Sequence, residues 1–256
     1  MDSPTFWLIA AAAVAVAGLS KSGLLGGLGL ASVPLLSLVM PARDAAGLML
    51  PLLLVMDAIS VWNYRREANW DILKILLPGA AIGTLLGWLM WSVVTDAFVN
   101  LMVGVITLLF VADALLPLRK KLEGLPPSKP WGTFWGGVAG FTSFISHTGG
   151  APFQIYTLPR RMSPVMYSGT SAFFFAIVNT AKLAPYFFLG QLNVSNMTHA
   201  ALLVPVAILS VMLGVVLVRR ISIKQFYAIA YTLVGMLAIK LVYDGITGVF
   251  FAAPAS

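Results

Sequence analysis

Apolar runs, many near the 20 residues that a helix needs to cross a bilayer core, fill most of this chain. They fall at roughly 5–19, 24–40, 45–64, 72–91, 97–118, 131–145, 151–159, 164–189, 198–218 and 225–247. Such a sequence is committed to lipid: 59% of it is hydrophobic and 10% charged, against about 25% charged in a soluble domain. Lipid tails offer no hydrogen bonds, so each crossing must close its own backbone pairs. Runs of this length predict an all-α polytopic membrane protein. The net charge of +7 sits in short loops between the runs, where it reports orientation rather than nucleic-acid binding.

Two glycine clusters break the apolar pattern, one on each side of the middle. The first reads Ser20-Lys21-Ser22-Gly23-Leu24-Leu25-Gly26-Gly27-Leu28-Gly29, the second Ser143-Phe144-Ile145-Ser146-His147-Thr148-Gly149-Gly150. Irregular backbone survives at membrane depth only where protein buries it or it lines an aqueous cavity. Paired interruptions in two halves point to a transporter's binding site.

The polar stretch from Arg119 to Pro130 reads as a linker between a first repeat (1–118) and a second (131–256). Pro34 and Pro41 enclose six residues, as do Pro152 and Pro159; Pro78 precedes Gly87 by nine, as Pro205 precedes Gly214. Gly47 and Gly169 each stand ten residues before Asp57 and Asn179, so the architecture reads as duplicated. If segments 5–40 and 131–159 each crossed once, six loop cations (Arg43, Arg160, Arg161, Arg219, Arg220, Lys224) would face seven (Arg65, Arg66, Lys74, Arg119, Lys120, Lys121, Lys129). If both segments reverse at their glycines, all but Arg43 share one face, as the positive-inside rule requires. This predicts two inverted repeats, each a glycine-broken re-entrant hairpin followed by three full transmembrane helices, with termini outside and linker in the cytoplasm. The alternative is a broken helix that unwinds and continues across. Residues 1–19 have the apolar core of a signal peptide, but Asp2 and the lack of an early Lys or Arg place them in the mature fold.

Lys21, flanked by Ser20 and Ser22, is expensive deep in a bilayer unless it faces water or a partner; the bland reading is snorkelling to the interface. His147 and Thr148 stand beside Gly149 and Gly150, where backbone N–H groups can meet an anion and a half-helix near Ala151 adds its positive end. Imidazole titrates near neutrality, so His147 is a candidate proton carrier; otherwise it braces the turn. Asn179 and Lys182 share a helix face, and their counterparts in the first repeat are Asp57 and Ser60. Asp57 could pair with Lys21 or Lys182, or carry a coupled proton. Gly27 and Gly29 complete the expected substrate-binding set. Lys240 and Asp113 lie near helix ends, His199 reads as a loop residue, and the tryptophans mostly flank the runs as interfacial anchors.

The Gly-rich first segment ending in Val33-Pro34-Leu35-Leu36 resembles the sulfite exporter TauE/SafE family, as do His147-Thr148-Gly149-Gly150-Ala151-Pro152 and Gly169-Thr170-Ser171. The resemblance spans essentially the whole chain. It implies export of a small anion, such as sulfite or an organosulfonate like sulfoacetate, across the bacterial inner membrane. The first break has no counterpart to His147 when the proline pairs are aligned.

The reading is therefore a secondary transporter working by alternating access, with a proton as candidate coupling ion. An anion channel is the alternative. An intramembrane enzyme would rest on Ser146 beside His147, neighbours that seldom face each other. No nucleotide-binding glycine loop of the Gly-x4-Gly-Lys-Ser/Thr form is present. Two histidines and no cysteine make a metal cage or other cofactor unexpected. The expected partners are the small anion and membrane lipid, not nucleic acid, with a homo-oligomer neither required nor excluded.

Overall fold

The computed structural model describes residues 3–23, 29, 32–95, 97–98, 101, 104–105, 108, 112 and 128–251. Gly27 and most of the linker (119–127) lie outside the described residues, as does Asp113. Nine α-helices are defined among the described residues: α1 (Pro4–Lys21), α2 (Ser32–Leu36), α3 (Ala42–Asn63), α4 (Trp70–Leu89), α5 (Lys129–Ser146), α6 (Gly150–Thr157), α7 (Pro164–Phe188), α8 (Val194–Val218) and α9 (Ile223–Ile246). No strand occurs among them. Five described helical stretches are long and apolar enough to cross a membrane: Pro4–Lys21, Arg43–Asn63, Trp70–Leu89, Pro164–Phe188 and Val194–Val218.

Local chemistry sets the ends. Side-chain oxygens of Ser3, Asn69, Ser163 and Asn193 each accept from a backbone N–H in the first turn of α1, α4, α7 and α8. Ser222 and Gln225 form a capping box at α9. α5 stops at His147, whose φ of 56° turns the chain left-handed, a conformation that favours glycine and that histidine tolerates better than most.

Contacts fix the helix directions. Gly18 lies against Ser210, Gly214 against Ser22, and Phe6 against His199, so α1 and α8 are parallel. α3 runs with them, since Lys21 meets Asp57 and Arg219 donates to the Asn63 carbonyl. α4 and α5 are also parallel to each other: Gly79 faces Thr133, Gly83 faces Gly137, and Gly87 faces Phe144. α7 opposes α3, with Asp57 at Asn179 and Glu67 at Gly169. α6 folds back along α5, because Tyr156 donates to the Ser128 carbonyl and Gly149 packs on Ala139.

Two large apolar cores result. One is built mainly from α1, α2, α3 and α8, including Phe6, Val14, Leu36, Leu52, Met56 and Val211. The other comes from α4 to α7, including Leu76, Trp135, Ala139, Phe153, Tyr156 and Phe174. Each core thus draws on both sides of the linker. The α4–α5 seam is so close that a Cβ at Gly79 or Gly83 would stand 1.9 Å from a backbone oxygen of α5.

Some expectations need correcting. His199 is in the second turn of α8, against the rings of Phe6 and Trp7, rather than in a loop. Trp91 and Trp135 are buried, since each fills an apolar core, and do not sit free at an interface. Lys240 does lie near the end of its helix, α9, where it pairs with Asp244 one turn on.

Candidate functional site

A cavity opens where the two cores meet, with ≈ 60 Å³ of room for the centres of water-sized molecules. About 10–15 Å³ of such room holds one water, so a small ion fits and a nucleotide does not. α1 and the segment after it contribute Ser20, Lys21, Gly29 and Ser32. α5 and α6 contribute Ser143, Gly150 and Gln154, with His147 between them; α7 contributes Tyr167, Ser171, Phe175 and Asn179.

The charged groups are tied together from behind. The Lys21 ammonium donates to Asp57 Oδ1 at 2.7 Å and lies 4.7 Å above the Phe175 ring. Asn179 Nδ2 donates to the other carboxylate oxygen at 2.6 Å. Asp57 is 1% exposed, and an unpaired carboxylate there would be untenable. Of the two partners open to it from sequence, Asp57 has Lys21.

Lys182 is wholly buried and does not line the cavity. Its Nζ donates to the Ser143 carbonyl (2.9 Å), to Ser143 Oγ (3.0 Å) and to His147 Nδ1 (2.8 Å). An ammonium only donates, so Nδ1 accepts and the ring proton sits on Nε2, where it reaches the Ala46 carbonyl at 3.0 Å. Both imidazole nitrogens are therefore engaged with protein. His147 edges the cavity but offers it no free ring N–H.

Ser20, Lys21, Gly29, His147, Gly150 and Asn179 come together at the cavity, as do residues the sequence did not single out, above all Ser143. Ser22, Thr148, Gly149, Lys182 and Asp57 are not among its lining residues. Thr148 Oγ1 instead bonds Ser146 Oγ at 2.9 Å inside the turn, which commits that serine to the brace. Gly149 fits where a Cβ would meet the Ala139 carbonyl at 2.4 Å.

Several contacts recur 122 positions apart, the spacing of Asp57 and Asn179. Tyr64 donates to the Ser22 carbonyl and Tyr186 to that of Phe144. Ser60 Oγ donates to the Lys21 carbonyl and Lys182 Nζ to that of Ser143. Lysine and serine have changed places: Lys21 faces Ser60 in one set, Ser143 faces Lys182 in the other. Tyr64 follows the end of α3, and burial pushes its hydroxyl up to about 12, so it stays protonated and donates.

No group of three or more His, Asp or Glu side chains able to hold a metal ion occurs among the described residues. No curated protein and no solved structure matched this chain. The family description that does match is that of the sulfite exporter TauE/SafE, over residues 10–241. With that match over most of its length, the chain belongs to the sulfite exporter TauE/SafE family of membrane transporters.

Proposed function

We propose that the chain is a secondary transporter that exports a small anion, sulfite or an organosulfonate such as sulfoacetate, across the bacterial inner membrane. The observation that carries this reading is the cavity between the two cores, where Lys21, Asn179 and Ser143 converge with the Lys182 charge behind them. Buried cations in a membrane mark ion paths. The hydroxyls of Ser20, Ser32 and Ser171 add uncharged donors suited to sulfonate oxygens.

Alternating access is the working cycle, with the two cores moving against each other around the cavity. Supporting it is an arrangement of two inverted repeats: α1–α2 and α5–α6 are the re-entrant hairpins, and the recurrence of contacts at 122 positions relates them. A coupled proton has two candidate carriers, Asp57 and His147. Twelve of the thirteen loop cations named above lie on one side in this arrangement, which makes that side cytoplasmic.

Purified protein in liposomes should give saturable efflux of sulfite or sulfoacetate, with little flux of zwitterionic taurine. Flux that rises without saturation would replace the transporter with a channel, and an imposed proton gradient that leaves the rate unchanged would remove both proton carriers. Topology has its own test, since the chain has no cysteine. Cysteines at Ser128 and Ser222 should resist an impermeant thiol reagent in intact cells, while one at Asn193 should label. Labelling at Ser128 would sink the inverted arrangement.

A further inference from the structure

We infer that the cavity is matched to a monovalent oxyanion, held between the Lys21 ammonium and the Ser143 hydroxyl. This rests on the anion-transport reading above and narrows its substrate to the singly charged form, hydrogensulfite or an organosulfonate with one charge, ahead of the sulfite dianion and of sulfoacetate, whose carboxylate adds a second charge. Among the described residues Asp57 is the only buried carboxylate, and it is committed to Lys21. Lys182 has no carboxylate within ion-pair distance among the described residues, and its three protons are spent on Ser143 and His147. Lys21 and Asp57 cancel, His147 is neutral by its bonding, and one positive charge remains in a site removed from water.

An ammonium buried without a counter-charge is costly, and a bound anion supplies what the chain does not. One negative charge brings the centre to neutrality. A second would leave an excess in a poorly polarisable setting, where uncompensated charge is strongly disfavoured. Ser143 carries the Lys182 charge to the cavity wall. Its Oγ accepts from Lys182, so its own proton is left to donate, and a hydroxyl polarised by a cation donates more strongly. Lys21 stands at the equivalent position 122 residues earlier, so the two poles face the anion from the two cores.

The test uses two anions of one shape. Methanesulfonate carries one charge on both sides of neutrality; methylphosphonate carries one below and two above. The full-length protein in detergent is titrated with each, at a mildly acid and a mildly alkaline pH, and thermal stabilisation is read. Methanesulfonate reports any titration of the protein's own groups, both those that line the cavity (Lys21, His147 and Tyr167) and those bonded behind it (Asp57 and Lys182). Methylphosphonate should match it on the acid side and bind at least about tenfold more weakly on the alkaline side, relative to methanesulfonate. In Asp57→Asn the centre gains a positive charge, so the alkaline preference should swing towards methylphosphonate. Equal binding of the two charge states by the wild type would overturn the monovalent match and leave anion transport standing. A folded Asp57→Asn protein that keeps the wild-type preference would overturn it too. If neither anion nor sulfite stabilises the protein, the transport reading itself falls.

Discussion

Lys21→Met should lower the stability of the protein by about 3 kcal/mol or more, because it strands Asp57 without its cation in a site that excludes water. Asp57→Asn should cost a similar amount by stranding Lys21. The double variant Lys21→Met/Asp57→Asn removes both charges and should regain most of that loss, since an uncharged pair has little desolvation to repay. Thermal unfolding of the four proteins gives the coupling directly. Transport separates the two roles of Lys21. If its ammonium contacts the anion, the double variant folds and yet binds substrate about 10–100-fold more weakly, the worth of a charge-assisted bond of roughly 1.5–3 kcal/mol. A double variant with wild-type apparent affinity would make the pair purely structural.

Gly83→Ala should be severely disruptive and Gly137→Ala nearly silent, although both glycines lie in the same seam. Alanine is the better helix former by roughly 1 kcal/mol, so either change gains something locally. At Gly83 the new Cβ would stand 1.9 Å from the Gly137 oxygen, a backbone atom that no rotamer can move. At Gly137 the nearest atom is 3.5 Å away, an ordinary contact. Forcing α4 off α5 should cost several times the helical gain, with overpacking alone worth about 1–3 kcal/mol. It would also shift Ser143 and His147 at the far end of α5, so flux should fall with stability. Equal melting temperatures for the two variants would show that the seam yields.

Much of this was legible in the sequence. Eight of the ten apolar runs gave helix positions within a few residues; most of 97–118 lies outside the described residues, and 24–40 holds only the short α2 among them. The glycine clusters gave a break in each half. Pairing was harder. Asp57 is 36 residues from Lys21 and far further along the chain from Lys182, and nothing local says which ammonium reaches it. Ser143 carries no local signal, because one serine in a Gly-rich helix looks like filler. The signal was its place 122 residues after Lys21, visible once Asp57 had been aligned with Asn179. Glycines four apart, at 79, 83 and 87 and again at 132, 136 and 140, also announced close helix packing. Their spacing does not say that the two sets face each other. The sequence leaves His147 between a substrate or proton contact and a brace for the turn, and only the positions of Lys182 and Ala46 reveal that both ring nitrogens are engaged.

The parallel packing of α1 on α8 has a consequence for how the protein is made. Gly18 rests on Ser210, and those residues leave the ribosome roughly 190 positions apart, which at ~5–20 residues per second is a wait of about 10–40 s. Throughout that interval the glycine face of α1 has no permanent neighbour, and the nascent chain must hold it in lipid or against an insertion factor. Asp57 arrives much sooner, only 36 residues behind Lys21. The ion pair therefore tethers the tip of α1 to α3 early in synthesis, and keeps that helix in register until the last third of the chain emerges to cover it.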